Sequence, residues 1–200
     1  MIGEDIKRTA LSISIFGESN VGKTCICGTF LGLDFLDEHL STIGIEKLSS
    51  VIELDTGEKL KIKLWDTAGQ ERFRNISVAT LKNSQASVVV FDLTNKNSFL
   101  LVKDWLKEIR DYSTKIPICL FGNKSDLNNR EVTNEEIEEF CENESLTYFE
   151  TSAKENKGIK EGFTKLANVA YNLLKNEEIK KGEKLKKPED NKNKKKKKFC

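Results

Sequence analysis

The sequence predicts an α/β domain with a six-stranded, mostly parallel sheet, one antiparallel edge pair, and helices on both faces. Short apolar segments rich in β-branched residues alternate with longer helical segments, an order typical of doubly wound folds. A glycine-rich loop follows the first predicted strand, and a polar loop follows a later buried one. The length of 200 residues suits one such domain with an extension.

The predicted elements follow from local composition and hydrophobic period. Strands are expected at 11–16, 48–54, 60–65, 87–92, 117–121 and 147–150. Helices are expected at 22–31, 70–82, 97–111, 134–143 and 158–174. The turn sequence Asp55-Thr56-Gly57 predicts a hairpin between the second and third strands, which supplies the antiparallel pair. Thr133 and Asn134, followed by acidic residues, predict a capped start for the fourth helix.

Residues 17–24, Gly-Glu-Ser-Asn-Val-Gly-Lys-Thr, fit the phosphate-loop pattern G-x-x-x-x-G-K-[ST]. A predicted strand precedes them and a predicted helix follows, as the pattern requires. Backbone N–H groups at the helix N-terminus can cradle phosphates. Lys23 would neutralise the β- and γ-phosphates, and the Thr24 hydroxyl would ligate Mg²⁺, a cation that prefers oxygen. A chance glycine turn before a helix is the alternative. The candidate nucleotide-binding residues of this loop are Gly17, Ser19, Asn20, Val21, Gly22, Lys23, Thr24 and Cys25.

The motif Asn123-Lys124-Ser125-Asp126 follows the apolar predicted strand 117–121. Loops at the carboxyl ends of parallel strands form the ligand crevice of an open α/β sheet. The Asp126 carboxylate can accept hydrogen bonds from N1–H and the exocyclic amine of guanine, a donor pair that adenine lacks. Asn123 can bond the N7 side of the base, and the Lys124 stem can cover the base plane. This motif therefore predicts selection of guanine over adenine.

A further motif, Ser152-Ala153-Lys154, follows the predicted strand 147–150. The Ala153 N–H would be offered to guanine O6. Polar turns after strands are common, so each of these two loops alone has an ordinary structural alternative. Their occurrence together with a phosphate loop strengthens the interpretation, because all these loops would then lie along one edge of the sheet.

Two more motifs, Thr42-Ile43-Gly44 and Asp66-Thr67-Ala68-Gly69-Gln70, complete a set that resembles the Ras-superfamily small GTPases. Within that superfamily the chain is similar to Rab proteins over about residues 9–174. The Rab-like stretches are 43–46, 61–71, 72–76 and 89–94. Residues 43–49 and 84–92 are most similar to the Golgi-associated branch. The resemblance implies the P-loop GTPase fold and a switch that binds GTP or GDP with Mg²⁺, hydrolyses GTP slowly and recruits effectors to membranes in vesicle trafficking.

The resemblance also implies roles for individual residues. Thr42 would reach Mg²⁺ through its hydroxyl and the γ-phosphate through its N–H. Asp66 would hold a metal-bound water, and the Gly69 N–H would contact the γ-phosphate. Gln70 would orient the attacking water as the catalytic residue. Phe35 would pack edge-on against the guanine.

Departures from the family pattern bear on rate and regulation. Asn20 stands where a small residue is usual, but Asn tolerates the left-handed conformation, so nucleotide binding should survive. His39 replaces a tyrosine that covers the phosphates, and we interpret it as a solvated loop residue. No residue is an obvious intrinsic arginine finger, so fast hydrolysis would need one supplied in trans.

Composition changes sharply after Leu174. Residues 1–174 carry 21 Lys and Arg against 27 Asp and Glu, a net charge of −6, whereas residues 175–200 carry 12 Lys and 5 acids, a net charge of +7. This predicts a G domain at 9–174 and a disordered polybasic tail at 175–200. Lysines near an anionic leaflet contribute about 1 kcal/mol each, and the resemblance implies a prenyl lipid on Cys200 as a second signal. The terminus is not a C-a-a-X box. A solubilising tail or a nucleic-acid-binding patch is the alternative.

The resemblance implies effectors at segments 35–46 and 68–82, a guanine-nucleotide exchange factor, a GTPase-activating protein, a prenyl escort and a GDP-dissociation inhibitor. We expect a monomer on the cytoplasmic face of an endomembrane, such as Golgi or endosomal vesicles, cycling with the cytosol. A non-hydrolysing scaffold is the second hypothesis, and Thr42 and Gln70 argue against it. A nucleic-acid binder ranks third, because the tail lacks interleaved aromatic residues and the domain lacks an evident basic face.

The cysteines and the absence of long apolar runs suit a reduced, cytosolic chain. Cys119 and Cys141 fall in a predicted strand and helix, so they are expected to be buried free thiols. The sequence shows no apolar run long enough to span a bilayer and no signal peptide.

Overall fold

Six strands pair into one sheet in the computed structural model, which describes residues 10–33, 45–67 and 80–185. Of residues 45, 46, 67, 178 and 180–185 it describes the backbone alone. The strands are β1 (Leu11–Phe16), β2 (Ile45–Glu53), β3 (Lys59–Thr67), β4 (Ala86–Asp92), β5 (Ile118–Asn123) and β6 (Thr147–Glu150). Their spatial order is β2-β3-β1-β4-β5-β6, and among these pairs only β2 and β3 are antiparallel. The predicted fold class is confirmed.

The described helices lie on both faces of the sheet. They are α1 (Lys23–Phe30), α2 (Lys96–Leu100), α3 (Val102–Tyr112), α4 (Asn134–Glu144) and α5 (Ile159–Leu185). Helices α1 and α5 bury their apolar sides in one cluster, and α2, α3 and α4 bury theirs in the other. Strand β4 serves both clusters: Val88 and Val90 lie in the first, Val89 and Phe91 in the second. A strand covered on both faces is apolar at consecutive positions rather than alternate ones.

The predicted hairpin and helix cap are both confirmed. The Leu54 N–H donates to Glu58 O at 2.9 Å, and the Gly57 N–H donates to Leu54 O at 2.8 Å. Gly57 has φ +79°, a conformation that glycine adopts without steric cost. Thr133 caps α4 in a reciprocal capping box with Glu136.

Two predicted helices differ from the observed ones, and a third lies largely outside the described residues. The predicted helix 97–111 is divided at Leu101, because the Asp104 N–H bonds to Leu101 O and so tightens the backbone there. Of the predicted helix 70–82, only residues 80–82 are described.

Helix α5 continues from the predicted end at residue 174 to Leu185, so residues 175–185 are helical rather than disordered. Lys175 explains part of this extension: its Nζ lies 3.4 Å from Glu58 Oε2 and 5.0 Å from the centroid of the Tyr171 ring. These contacts add tertiary support to a stretch composed mainly of good helix formers. The expected disorder of residues 186–200 lies outside the described chain. None of the described helices has an apolar stretch long enough to cross a bilayer.

The cysteines of β5 and α4 are buried free thiols, as predicted. Burial raises the pKa of Cys119 to about 12 and that of Cys141 to about 11. Both thiols therefore stay protonated and behave as small apolar side chains.

The close packing of α5 against β5 predicts how a substitution at Gly162 changes the free energy of unfolding. A Cβ at Gly162 would lie 2.5 Å from Cζ of the Phe121 ring, which is itself fully buried. We therefore expect Gly162→Ala to lower the free energy of unfolding by about 1–3 kcal/mol, although alanine is the better helix former. The matched control is Gly28→Ala in α1, where the added Cβ would meet only Leu33 at 3.9 Å. That variant should gain up to about 1 kcal/mol. Urea denaturation of both variants tests whether their free energies of unfolding change in opposite directions. An equal change in the two variants would contradict this packing argument.

Candidate functional site

The described candidate residues cluster at one edge of the sheet. Strands β1, β3, β4, β5 and β6 all run in one direction, so their carboxyl ends meet there. Within this register Ile15 pairs with Asp66, and Asp92 pairs with Asn123. The phosphate-loop residues follow β1 directly. The sequence-based expectation of a shared edge is therefore met.

The phosphate loop uses three residues with positive φ. Gly17 has φ +139°, and a Cβ there would lie 2.2 Å from Val90 O, so a side chain is excluded. Gly22 has φ +95°, and its Cβ would meet Asn123 Nδ2 at 2.4 Å. Asn20 has φ +64°, which confirms that asparagine occupies this position in the left-handed conformation. The loop thus turns sharply without strain from a bulky side chain.

Lys23 folds back across this loop. Its ammonium donates to Gly17 O at 3.0 Å and to Glu18 O at 2.7 Å, and only 6% of the residue is exposed. Both acceptors are neutral carbonyls. Desolvation lowers the Lys23 pKa to about 8, and the charges of Asp66 and Glu18 partly offset this shift. A buried cation with neutral partners is a fitting group for an anionic phosphate.

The backbone donors of the loop also fit a phosphate. The N–H groups of Ser19, Asn20 and Gly22 donate no hydrogen bond to any residue within 10–33, 45–67 or 80–185. They precede α1, where the helix dipole favours negative charge. Val21 anchors the loop in the core at 1% exposure. Cys25, half-buried in the first turn of α1, has a pKa raised by desolvation, so it contributes no negative charge.

Thr24 and Asp66 bring two oxygen-bearing side chains together below the loop. The Thr24 hydroxyl donates to Asp66 Oδ2 at 2.6 Å, and Asp66 is completely buried. Oxygen donors of this kind fit Mg²⁺. Among the described residues no group of three or more His, Cys, Asp or Glu side chains is placed to hold a metal. A site with few protein ligands suits Mg²⁺, which usually keeps waters and phosphate oxygens in its coordination shell.

Asn123 joins three loops through one buried amide. Its Nδ2 donates to Val21 O at 2.9 Å, and its Oδ1 accepts from the Thr151 hydroxyl and the Ala153 N–H, both at 3.3 Å. The sequence predicted Asn123 as a base-contacting residue and did not anticipate this structural role. The Ala153 N–H, predicted for guanine O6, is directed at Asn123 in this arrangement, so contact with O6 requires that this hydrogen bond be shared or exchanged.

The other base-loop residues are held by neighbouring charges and hydroxyls. The Ser152 hydroxyl donates to Asp126 Oδ1 at 2.7 Å, which orients the carboxylate. Lys124, in the left-handed conformation at φ +67°, places its Nζ 2.6 Å from Asp92 Oδ2. Sequence reasoning missed Asp92, although it ends a predicted strand at the same edge. Lys154 is exposed at the surface.

Trp105 and Glu18 form a second contact that the sequence did not predict, and this contact supports the phosphate loop. Trp105 Nε1 on α3 donates to Glu18 Oε1 at 3.0 Å. The indole also stacks on Phe16, with ring centroids 5.8 Å apart. Glu18 occupies a variable position of the phosphate-loop pattern, so the pattern carried no information about its partner.

Several predicted residues lie outside the described chain. They are Phe35, His39, Thr42, Gly69, Gln70 and Cys200. The predicted effector segments 35–46 and 68–82 are described only at residues 45–46 and 80–82. Their roles remain predictions.

Comparison with known proteins identifies the family. The Ras family model matches residues 12–172. The human Ras-related protein Rab-39A is 41% identical over 173 residues, covering 82% of this chain and 79% of the relative. Ras-related protein Rab-1C of Dictyostelium discoideum is 39% identical over 160 residues, covering 79% of each chain. Human Ras-related protein Rab-30 is 40% identical over 157 residues, covering 78% of this chain and 77% of the relative.

These matches span nearly all of the described sheet and its helices. Rab proteins have effectors, exchange factors, GTPase-activating proteins and GDP-dissociation inhibitors as their kinds of partner. The chain therefore belongs to the Ras family and is a Rab-type small GTPase, a switch that binds GTP or GDP with Mg²⁺, hydrolyses GTP and acts in membrane-associated vesicle trafficking.

Proposed function

We propose that the carboxyl edge of the sheet holds the nucleotide through the residues identified above. The phosphates lie against the N–H groups of residues 17–25, with Lys23 as their counter-charge. Thr24 ligates Mg²⁺ directly, and Asp66 does so through a water. The carboxylate of Asp126 accepts hydrogen bonds from the guanine edge, and the Lys124 stem covers the base plane. Residues 152–154 contact the base on the side of its O6 atom. Phe35 packs against the base from the other side.

The main support for this proposal is the pair of hydrogen bonds that the Asn123 amide makes to two loops. It bonds the phosphate loop at Val21 and the Ala153 loop simultaneously. A base loop and a phosphate loop that share a buried hydrogen-bonding group hold a fixed separation, as one ligand that spans both loops requires. The second N–H of the Asn123 amide suits N7 of the base.

Hydrolysis depends mainly on positioning. Mg²⁺ neutralises charge on the β- and γ-phosphates when it is bound. Lys23 contributes a second positive charge in a buried, low-dielectric position. Gln70 orients the attacking water. Since the sequence offers no obvious intrinsic arginine finger, we expect an activating protein to provide one.

The nucleotide state is transmitted through segments 35–46 and 68–82. Thr42 and Gly69 contact the γ-phosphate, one from each segment, and lose that contact when the phosphate leaves. Differential contact of this kind shifts a conformational equilibrium. Effectors bind these segments, with Trp65 and the apolar residues Ile43, Phe73 and Ile76 forming a common patch.

The G domain spans residues 9–174, and the polybasic tail after α5 attaches it to the cytoplasmic face of an endomembrane. The tail lysines meet anionic lipid, and a prenyl chain on Cys200 inserts into the bilayer. A prenyl escort and a GDP-dissociation inhibitor handle that chain in the cytosol, so the protein cycles between Golgi or endosomal vesicles and solution. The proposed unit is a monomer that binds no nucleic acid.

Asp126→Asn should transfer nucleotide preference from guanine to xanthine. The amide can still accept the Ser152 hydrogen bond, but it donates where the xanthine O2 accepts. GTP affinity should fall on the order of 10²-fold while XTP affinity rises. Displacement of fluorescent GDP by GTP, XTP and ATP measures the change, with Asp104→Asn on α3 as the matched control. Equal competition by ATP and GTP in the parent protein would refute the proposed base site.

Thr24→Asn should weaken Mg²⁺-dependent GTP binding on the order of 10–100-fold and weaken GDP binding less. The variant loses the hydroxyl oxygen of Thr24, and the GTP complex depends more on the metal because it carries more phosphate charge. Thr24→Ser retains the hydroxyl and should behave as the parent does. Titration with Mg²⁺ at fixed nucleotide separates the variants, and a serine variant as weak as the asparagine variant would contradict a ligand role.

Removing residues 192–200 should release the protein from membranes without changing nucleotide exchange. The deletion removes six lysines, each contributing about 1 kcal/mol near an anionic surface, together with the lipid-bearing thiol. Cys200→Ser separates the two signals, since it keeps the charge and removes the lipid. Fractionation of cells expressing each variant gives the membrane-bound share. Retention of the truncated protein on membranes would show that the anchor lies elsewhere.

A further inference from the structure

Asp92 is a buried carboxylate beside the base loop. It ends β4 and lies opposite Asn123 in the register of β4 with β5, so Lys124 is the next residue after its partner. The Asp92 Oδ2 lies 2.6 Å from Lys124 Nζ, and the Asp92 side chain is 8% exposed against 31% for that of Lys124. Because the acid is the more buried partner of this pair, it fixes where the ammonium lies.

The Asp92 carboxylate is itself held in place by its neighbours. Its Oδ1 accepts from the Thr94 N–H at 2.8 Å and from the Thr94 hydroxyl at 2.7 Å. The Asp92 N–H donates to Ser98 Oγ at 2.9 Å, which joins the end of β4 to α2. These bonds occupy Oδ1 and leave Oδ2 for Lys124. The two carboxylate oxygens therefore have separate partners, the turn after β4 and the base loop.

The turn after β4 does not account for the negative charge of Asp92. An asparagine side chain accepts the hydrogen bond of such a turn as well as an aspartate does. Stability does not account for it either, since a shielded ion pair loses in desolvation much of what it gains in Coulomb attraction. Asparagine differs from aspartate in having no second oxygen that could accept from an ammonium. The charge of Asp92 therefore serves its contact with Lys124.

Lys124 is a residue whose placement needs support. Its backbone has φ +67°, a left-handed conformation that is disfavoured for a residue with a Cβ. Its flexible four-carbon stem loses conformational freedom when it is fixed in one position. Asp92 holds the far end of that stem, so the side chain is fixed at both ends before a ligand arrives. A group ordered in advance adds more to affinity, because its ordering cost is not incurred on binding.

We propose that Asp92 is a positioning residue for the nucleotide: it holds Lys124 so that the stem of this lysine forms a fixed apolar surface against the base plane. This inference rests on the proposed role of Lys124 in the base site, and it adds a residue that acts on the nucleotide through Lys124. Asp92 also balances the ammonium charge, so the base meets an apolar stem whose charged end is already paired.

The rates of nucleotide release follow from this role. GDP and GTP share the base, so loss of the positioning contact should speed the release of both by the same factor. The dependence on Mg²⁺ should not change, because the metal contacts phosphates and not the base. The preference for guanine should also persist, since a contact with the base plane does not distinguish one base from another. This parallel loss differs from that expected for Thr24→Asn, which weakens GTP binding more than GDP binding.

A double-mutant cycle in the full-length protein tests the proposal. Asp92→Asn is isosteric and keeps an oxygen for Thr94, but it presents an NH₂ group to the Lys124 ammonium. Release of fluorescent GDP, followed by displacement with excess GDP, should become about tenfold faster. Lys124→Met keeps most of the stem, removes the ammonium, and should give a similar increase. The double variant should release GDP no faster than Lys124→Met alone, because Asp92 then has no partner to position.

Thr94→Val is the matched control, since it removes the hydroxyl bond to Asp92 Oδ1 and leaves the backbone bond and the ion pair. It should release GDP as the parent protein does. The proposal is overturned if Asp92→Asn speeds release by the same factor with and without Lys124→Met, which would show a general support of the fold.

Two further outcomes separate this inference from the proposed base site. If Lys124→Met speeds release and Asp92→Asn does not, the positioning role is overturned and the base site stands. If neither Lys124→Met nor Asp126→Asn changes the release of GDP, the base site fails and the positioning role fails with it.

Discussion

The hydrogen bonds of the buried Asn123 amide set the geometry on which the rest of the site depends. One side chain at the end of β5 donates to the phosphate loop and accepts from the loop after β6. Neither loop could shift alone without leaving a buried polar group unpaired, which costs about 1–3 kcal/mol. Gly22 shows how close the approach is, because any side chain there would collide with the amide. The phosphate loop and the loop after β6 are therefore parts of one rigid unit.

Strand β3 extends this unit to the molecular surface. Side chains alternate between the two faces of β3, so Asp66 lies toward Thr24 and Trp65 lies on the outer face of the hairpin. The turn at the far end of the hairpin is tied to the last helix, where Asn168 Oδ1 accepts from the Asp55 N–H at 3.1 Å. The hairpin is therefore held at both ends, by Asp66 beside the candidate site and by Asp55 at the turn.

Features with local causes could be predicted from the sequence. The hairpin at Gly57, the cap at Thr133 and the left-handed Asn20 each follow from a few neighbouring residues. Contacts between distant residues could not, because they depend on strand order and register. The Asp92–Lys124 ion pair is one example. The hydrogen bond between Trp105 and Glu18 is another, because these two residues are far apart in the sequence.

The contact between Trp105 and Glu18 has a spectroscopic consequence. An indole whose N–H is bonded to a carboxylate in a folded interior emits at a wavelength and intensity set by that bond and by the nearby charge. The chain contains two tryptophans, one on the phosphate-loop side and one on the hairpin. Replacing Trp65 with phenylalanine would leave Trp105 as the single tryptophan, hydrogen-bonded to the phosphate loop at Glu18. With excitation that selects tryptophan over tyrosine, its emission would report on nucleotide binding without an added dye.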